Sequence, residues 1–219
     1  MIYRDRTDAG RRLAERLGDY RGRGDVVVLA LPRGGLPVAR EVAEALGAPL
    51  DVIVVRKLGY PGQEELAMGA IASGGVRMIN EDVVASLGVT ERTLASVAAT
   101  EQNELERRER MYRGDRPTAE LAGRTVILVD DGLATGSSMQ AAVQAVRAHS
   151  PARVVVAVPV APAETCARLR TLVDEVVCLD TPEPFQAVGL WYEDFSQVTD
   201  ADVRAILDAS PPPSSPASA

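Results

Sequence analysis

The sequence predicts an α/β protein with an open, mostly parallel sheet flanked by helices. Short runs rich in valine, isoleucine and leucine alternate with segments whose apolar residues recur at helical spacing. A continuous apolar run is typical of a parallel strand, because helices cover both faces of such a sheet. At 219 residues and 46% hydrophobic, the chain is long enough for one well-packed domain. The predicted strands are 25–31, 50–56, 124–130, 153–160 and 174–180, and the helices between them are 35–47, 137–149 and 162–172.

Other segments depart from this alternation. Residues 57–80 have turn residues at both ends and weak alternation between them, which favours a loop and a hairpin. Residues 90–114 read as one long charged helix with an apolar stripe, which either braces the preceding segment or forms a subunit interface. The chain starts with an amphipathic helix rather than a signal peptide, and the Pro/Ser-rich tail 210–219 is expected to be disordered. We therefore expect a single domain over 1–209, with 81–114 as a helical insertion.

The acidic composition limits the partners. A net charge of −7 at pH 7 and a pI near 4.9 argue against nucleic acid or an anionic membrane as the main partner. An anionic small substrate would then need a local cationic site or a metal ion. No apolar run approaches the length of a membrane span, and Cys166 and Cys178 form no metal or redox pattern. We expect a cytoplasmic protein with both cysteines in its core.

Two loops with basic residues follow predicted strands, and ligands bind at the carboxyl ends of strands in open α/β sheets. The first, LPRGG, offers the forked donor Arg33 and two glycines, Gly34 and Gly35, that let backbone amides approach an anion closely or adopt strained dihedrals. The second, VVRKLGYPG, places Arg56 and Lys57 at a strand end. Lys57 is the only lysine among 24 basic residues, which indicates either a need for a compact ammonium or a compositional accident.

The most informative segment is VILVDDGLATGSS. It delivers Asp130 and Asp131 at a strand end and then turns into a helix through small and hydroxyl residues. Amides at a helix N-terminus, with threonine and serine hydroxyls, suit a phosphate monoester. A Walker A loop is excluded because it requires a lysine, and an ordinary N-cap would explain Ser137 or Ser138 but neither acid.

A sugar phosphate accounts for carboxylates beside a phosphate loop. Vicinal ribose hydroxyls donate hydrogen bonds to the carboxylates, while the phosphate meets the amides further along. A second polyphosphate could extend towards Arg33 and Lys57, bridged by Mg²⁺, a cation that takes oxygen ligands.

This segment resembles the phosphoribosyl pyrophosphate (PRPP) signature of the type I phosphoribosyltransferases, and LPRGG resembles their pyrophosphate loop, where several members have a non-proline cis peptide. The resemblance covers about residues 20–200 and is greatest to a bacterial group of unassigned acceptor. It implies that family's fold, with a mobile loop and hairpin over 57–80 and an irregular C-terminal hood over 181–200. It also implies roles for individual residues: Asp130 and Asp131 for the ribose hydroxyls and Mg²⁺; Ala134, Thr135, Gly136, Ser137 and Ser138 for the 5′-phosphate; Arg33, Gly34, Gly35, Arg56 and Lys57 for pyrophosphate, with Arg33 and Lys57 catalytic alongside the aspartates.

The resemblance also bears on the acceptor. Relatives that use 6-oxopurines carry an aspartate where Ala134 stands and a lysine where Val158 stands, so this chain departs from them at both positions. The aromatic-rich hood, TPEPFQAVGLWYEDFSQVTD, resembles the segment that stacks on the base, although its aromatic residues could equally pack the hood onto the sheet. The residues expected to contact the acceptor are Val158, Phe185, Trp191, Tyr192 and Asp194.

The sequence thus predicts a Mg²⁺-dependent phosphoribosyltransferase that uses PRPP and a small aromatic acceptor other than a 6-oxopurine. A regulator that binds PRPP or a nucleotide without transfer is one alternative. Ribosyl transfer or phosphorolysis involving a phenolic metabolite is another. By analogy with the family, the protein would be a homodimer, with neither nucleic acid nor membrane as a partner.

Overall fold

In the computed structural model the described residues, 2–213 without the side chains of Glu64 and Glu65, form a five-stranded and a three-stranded sheet with helices around them. Among these residues, no helix is both long enough and apolar enough to span a membrane. The helices are α1 (Arg6–Arg16), α2 (Gly35–Leu46), α3 (Glu81–Ser86), α4 (Glu91–Arg113), α5 (Ser137–Arg147), α6 (Ala163–Leu169) and α7 (Asp200–Ala209). The strands are β1 (Val26–Ala30), β2 (Leu50–Val52), β3 (Val55–Tyr60), β4 (Gln63–Ala72), β5 (Val76–Ile79), β6 (Thr125–Val129), β7 (Arg153–Val160) and β8 (Glu175–Asp180).

The larger sheet is parallel throughout and has the order β2-β1-β6-β7-β8, so the predicted fold class is confirmed. Every residue of β1 and β6 is buried. Alternate residues of β1 enter two hydrophobic clusters, one containing Val28 with α1 and α2 residues, the other containing Leu29 with α5 and α6 residues. Burial on both faces explains why these strands are continuous apolar runs rather than alternating ones.

The loops after β1 and β6 lie side by side at one edge of the sheet. Ala30, the last residue of β1, is in register with Val129, the last residue of β6. From β1 the chain passes through α2 to β2 on one side, and from β6 through α5 to β7 on the other. The strand order therefore reverses between β1 and β6, which is where open α/β sheets bind ligands.

The predicted strand 50–56 is wrong in one respect, because it is divided between the two sheets. Its first half is β2, whereas Val54 pairs with Ser73 and leads into β3 of the antiparallel sheet β3-β4-β5. Lys57 consequently lies opposite Ala70 within this antiparallel sheet rather than at the end of a parallel strand. The hairpin predicted for 57–80 is present, but its first residues are a strand and not a loop.

The long helix predicted over 90–114 is confirmed as α4. Its N-cap, Thr90, accepts a hydrogen bond from the Thr93 amide, and Gly114 ends it with a positive φ of 55°. The apolar stripe, which includes Leu94 and Leu105, is buried against β3, β4 and α7. The helix therefore braces the antiparallel sheet, as one of the two interpretations of its pattern expected.

The hood includes the start of the chain. Tyr3 forms a parallel bridge with Tyr192, and the first helix begins only at Arg6, after the extended N-cap Asp5. In the predicted disordered tail, Ser210 accepts a hydrogen bond from Arg116, and 214–219 lie outside the described residues. Both cysteines are free, with Cys166 buried and Cys178 partly buried.

Candidate functional site

Asp130 and Asp131 follow β6 directly and pack against the loop after β1. A Cβ atom on Gly34 would lie 2.0 Å from Asp131 Oδ2, and one on Gly35 would lie 3.0 Å from Asp130 Cα. A Cβ at either position would therefore collide with the segment after β6, so the close approach of the two loops favours glycine at both. The predicted approach of their amides to an anion stays a prediction.

The loop after β1 uses part of its polar capacity internally. The Gly35 amide donates to Leu31 O at 3.1 Å, so this N–H is already engaged. The peptide between Pro32 and Arg33 is cis, as the family resemblance implied. Arg33 is partly exposed, and its Nη1 lies 3.8 Å from Asp200 Oδ1 at the start of α7. The guanidinium is thus near the crevice but directed towards α7 in this conformation.

Burial disfavours the ionised form of both adjacent carboxyls. Burial and the charge of Asp131 raise the pKa of Asp130 well above its usual range. Burial also raises the pKa of Asp131, although the Arg6 guanidinium opposes that shift. Two crowded carboxylates in a partly dehydrated crevice favour a bound cation or hydroxyl donors.

Arg6 is the site residue that the sequence analysis missed. It is the first residue of α1, and its Nε lies 2.7 Å from Asp131 Oδ2. Its Nη1 donates to Ser196 O at 2.8 Å, and its guanidinium carbon lies 3.9 Å from the centre of the Phe195 ring. No motif marks this arginine, because its partners are distant in sequence and only the fold assembles them.

The predicted phosphate loop, Ala134 to Ser138, is exposed except at Gly136. Gly136 adopts a positive φ of 72° and leads into α5. The first amide of that helix, Ser137 N, donates to Thr135 Oγ1 at 3.4 Å within the loop itself. The loop is fixed from behind by α6. Thr165 Oγ1 donates to Ala134 O at 2.9 Å, and the Arg168 guanidinium donates to Thr135 O. These two positioning contacts were not predicted from the sequence.

Lys57 faces the phosphate loop across an open cavity. The cavity has a volume of about 600 Å³ and is lined by Lys57, Ser138 and residues of α4. A second cavity, of about 470 Å³, joins Lys57 to Ser137. Arg56 borders the first cavity, but its guanidinium is paired with Glu101 at 2.7 Å. The structure thus brings Lys57 and the serines together, while Arg56 has a partner within the protein.

Two residues expected to contact the acceptor are instead interior. Val158 is 0% exposed and packs in the hydrophobic cluster beneath α5 and α6. Tyr192 is 6% exposed, and its hydroxyl donates to Asp131 O. The structure does not support direct contact of either side chain with an acceptor, since Tyr192 anchors the hood to the diacid and Val158 fills the sheet.

The other hood residues lie nearer the surface. The rings of Phe185 and Trp191 stack on each other, with centroids 6.5 Å apart. Phe185 also lines a cavity of about 440 Å³ beside the ends of β7 and β8. Asp194 is exposed, and its carboxylate accepts hydrogen bonds from the amide and hydroxyl of Ser196. These hydrogen bonds lower the pKa of Asp194 below its usual value.

Comparison with known proteins agrees with this geometry. A family model described as a phosphoribosyl transferase domain matches residues 2–193. The crystal structure of TT1426 from Thermus thermophilus superposes with a TM-score of 0.84 at 48% identity, covering 94% of this chain and 98% of that one. The structure of AQ2163 from Aquifex aeolicus, at 16% identity and a TM-score of 0.50, covers 84% of this chain and 78% of its own and shares the fold.

Two curated proteins from Mycobacterium tuberculosis strains are each provisionally named a phosphoribosyl transferase. Each is 50% identical over 207 residues, which is 94% of this chain and 46% of the relative. The chain therefore spans about half the length of these relatives. The family match and this identity, on a fold that carries the diacid and the phosphate loop, lead to one conclusion: the chain belongs to the phosphoribosyl transferase domain family.

Proposed function

We propose that this protein transfers the 5-phosphoribosyl group of PRPP to a small aromatic acceptor and releases pyrophosphate, with Mg²⁺ as cofactor. The observation that carries the proposal is the placement of Asp130 and Asp131 at the reversal of strand order. The exposed phosphate loop continues from the diacid, and Lys57 faces that loop.

The ribose and the 5′-phosphate of PRPP would bind to different kinds of group. The ribose hydroxyls donate to Asp130 and Asp131, which offsets the burial that raises the pKa of both carboxyls. The 5′-phosphate takes the amides and hydroxyls of the loop from Ala134 to Ser138, at the positive end of α5. Thr165 and Arg168 hold the carbonyls of that loop, so its amides keep their direction.

The residues fit Mg²⁺ as an oxygen-seeking cation. Two acidic side chains whose ionised forms are disfavoured by burial and by each other gain from a nearby cation. Among the described residues, no three acidic, histidine or cysteine side chains converge as a metal site, so the remaining ligands would come from PRPP and water. When bound, Mg²⁺ would neutralise charge on the departing pyrophosphate.

The chain's own groups support displacement at the anomeric carbon. An oxocarbenium-like transition state places positive charge on the ribose ring, which the Asp130 and Asp131 carboxylates stabilise. Arg33 and Lys57 take the pyrophosphate, for which Arg33 turns from Asp200 towards the crevice. Closure of the β3–β4 hairpin brings Lys57 over the leaving group and excludes water, which would otherwise compete with the acceptor.

The acceptor binds under the hood, beside the cavity that is lined by Phe185, whose ring stacks on Trp191. Ala134 and Val158 supply neither the carboxylate nor the ammonium that 6-oxopurine enzymes use, which supports an acceptor outside that class. Asp194 borders this side of the hood but is engaged by Ser196. The free cysteines fit a reducing cytoplasm, where we place the reaction.

The test has two stages. PRPP with Mg²⁺ should raise the melting temperature, and pyrophosphate should be released with at least one member of a panel of nucleobases and aromatic acids. Asp130→Asn and Asp131→Asn should abolish release. Asp208→Asn, an equally conservative change at an exposed position on α7, should not. Stabilisation without turnover across the panel would favour a PRPP-binding regulator, and no stabilisation at all would contradict the proposal.

A further inference from the structure

Three contacts hold the Arg6 guanidinium in one orientation between the diacid and the hood. Nε is 2.7 Å from Asp131 Oδ2, Nη1 donates to Ser196 O, and the Phe195 ring covers one face at 3.9 Å. The side chain is only 11% exposed. An arginine fixed in this way loses little further conformational entropy when it binds a ligand.

One edge of this guanidinium remains open. Within the described part of the chain, Nη2 of Arg6 has no hydrogen-bond partner, yet it is not among the buried polar atoms that lack one. The nitrogen is therefore not fully buried, and it belongs to a guanidinium whose Nε touches Asp131. A fixed arginine with two engaged nitrogens and one open nitrogen is suited to accept one further oxygen ligand.

The position of Arg6 corresponds to the junction of sugar and acceptor. In the proposed function, Asp131 binds a ribose hydroxyl, and the acceptor joins the neighbouring anomeric carbon. Phe195 and Ser196, which Arg6 also contacts, belong to the hood under which the acceptor is proposed to bind. A group that touches both Asp131 and the hood therefore lies beside the acceptor once PRPP is bound.

The local charge favours an anionic ligand after the donor has bound. The acids around Arg6 are Asp131, in contact with it, and Asp130 and Asp194 nearby. Asp194 is engaged by Ser196, and ribose hydroxyls with Mg²⁺ would take up the diacid. Arg6 keeps its charge in a largely buried site, where a charge-assisted bond to an anionic oxygen is about twice as strong as a neutral one.

We propose that Arg6 selects an acceptor that carries an anionic oxygen, such as a carboxylate, close to its nucleophilic atom, and that it does so after PRPP has bound. This inference rests on the proposed function. It deepens it by naming the class of acceptor, a small aromatic acid, and the residue that distinguishes this acid from its neutral analogue.

The experiment uses two matched pairs of acceptors, orotate against uracil and nicotinate against nicotinamide. Affinity and kcat/KM are measured with saturating PRPP and Mg²⁺. The wild-type protein should prefer the carboxylate of at least one pair by about tenfold or more, the size of one charge-assisted contact. Arg6→Gln should reduce that preference to about twofold, and Arg6→Lys should restore part of it. Arg11→Gln, on the same helix but paired with Glu41, should leave it unchanged.

The possible results distinguish a failure of the proposed function from a failure of the inference about Arg6. A wild-type protein that PRPP does not stabilise contradicts the proposed function. If PRPP stabilises the protein but neither carboxylate binds better than its neutral analogue, the inference about Arg6 is overturned while the donor site stands. It is also overturned if Arg6→Gln keeps the wild-type preference. Because the readout is a ratio between two ligands of one variant, a general loss of stability does not mimic the expected result.

Discussion

Replacing Gly34 by alanine should impair function far more than stability. The backbone at Gly34 is helical, with φ −60° and ψ −33°, so alanine is conformationally acceptable there. Its Cβ atom would nevertheless lie 2.0 Å from Asp131 Oδ2, where a separation below 3.0 Å is not tolerated. The Asp131 carboxylate must therefore move by about 1 Å or more, away from Gly34 and out of its present contact with Arg6.

The expected magnitudes differ for the two properties. Loss of a charge-assisted hydrogen bond costs about 1.5–3 kcal/mol, and replacing glycine by alanine in an allowed conformation returns about 0.4–1 kcal/mol. We therefore expect the free energy of unfolding to fall by only about 1–2 kcal/mol. A misplacement of about 1 Å at a reacting centre can lower the rate roughly a hundredfold, so pyrophosphate release should fall by that order.

The assay pairs denaturant unfolding with PRPP-dependent stabilisation and pyrophosphate release. Gly18→Ala serves as the control, because its Cβ would meet no atom within 4 Å. A Gly34→Ala protein that binds PRPP and turns over like the Gly18→Ala protein would show that the position of the Asp131 carboxylate does not matter. The proposed role of the Asp131 carboxylate in binding the ribose would then be refuted.

Three other changes probe separate parts of the structure. Thr165→Val removes the hydrogen bond to Ala134 O and should raise the KM for PRPP several-fold with little change in kcat; an unchanged KM in steady-state kinetics would contradict a positioning role. Lys57→Arg should lower kcat while PRPP stabilisation persists, because the bulkier planar group does not replace a compact ammonium; unchanged turnover would make the single lysine a compositional accident. Arg113→Met leaves the buried Asp51 carboxylate without its 2.9 Å ion-pair partner and should cost about 3 kcal/mol in denaturant unfolding, whereas a loss below about 1 kcal/mol would mean that the Asp51 hydrogen bonds to backbone suffice.

The parallel sheet was predictable because its signal is local. β1 and β6 are buried along their whole length, and such runs are visible as uninterrupted apolar segments. The hydrophobic pattern did not predict the structure of residues 50–56, because one apolar run contributes strands to two different sheets. Nothing in the residue types marks the transfer at Val54, because its pairing with Ser73 is a tertiary choice. The spacing of apolar residues indicates which residues are buried, but it does not indicate which strand they pair with.

The parts of the candidate site that lie in one continuous segment could be predicted from the sequence, and the parts that the fold brings together could not. Asp130, Asp131 and the phosphate loop lie in one segment, so the sequence alone located them. The structure adds a packing reason for the glycines of LPRGG, since a Cβ on either would collide with the diacid segment; their predicted approach to an anion stays a prediction. Arg6 could not be identified from the sequence, because its role depends on an ion pair between residues 125 positions apart. Likewise, the burial of Tyr192 depends on its pairing with the start of the chain.

The pairing of the start of the chain with the hood has a consequence for folding order. The Arg6–Ser196 hydrogen bond closes a loop of 190 residues, whereas the diacid and phosphate loop lie within one short segment. Contacts between distant residues carry the larger loop-closure entropy, and they form late and open early. On mild destabilisation, amide exchange should therefore rise first where Tyr3 meets Tyr192, while β1 and β6 stay protected. Such a partly opened protein would still hold the phosphosugar but would have lost its selectivity for the acceptor.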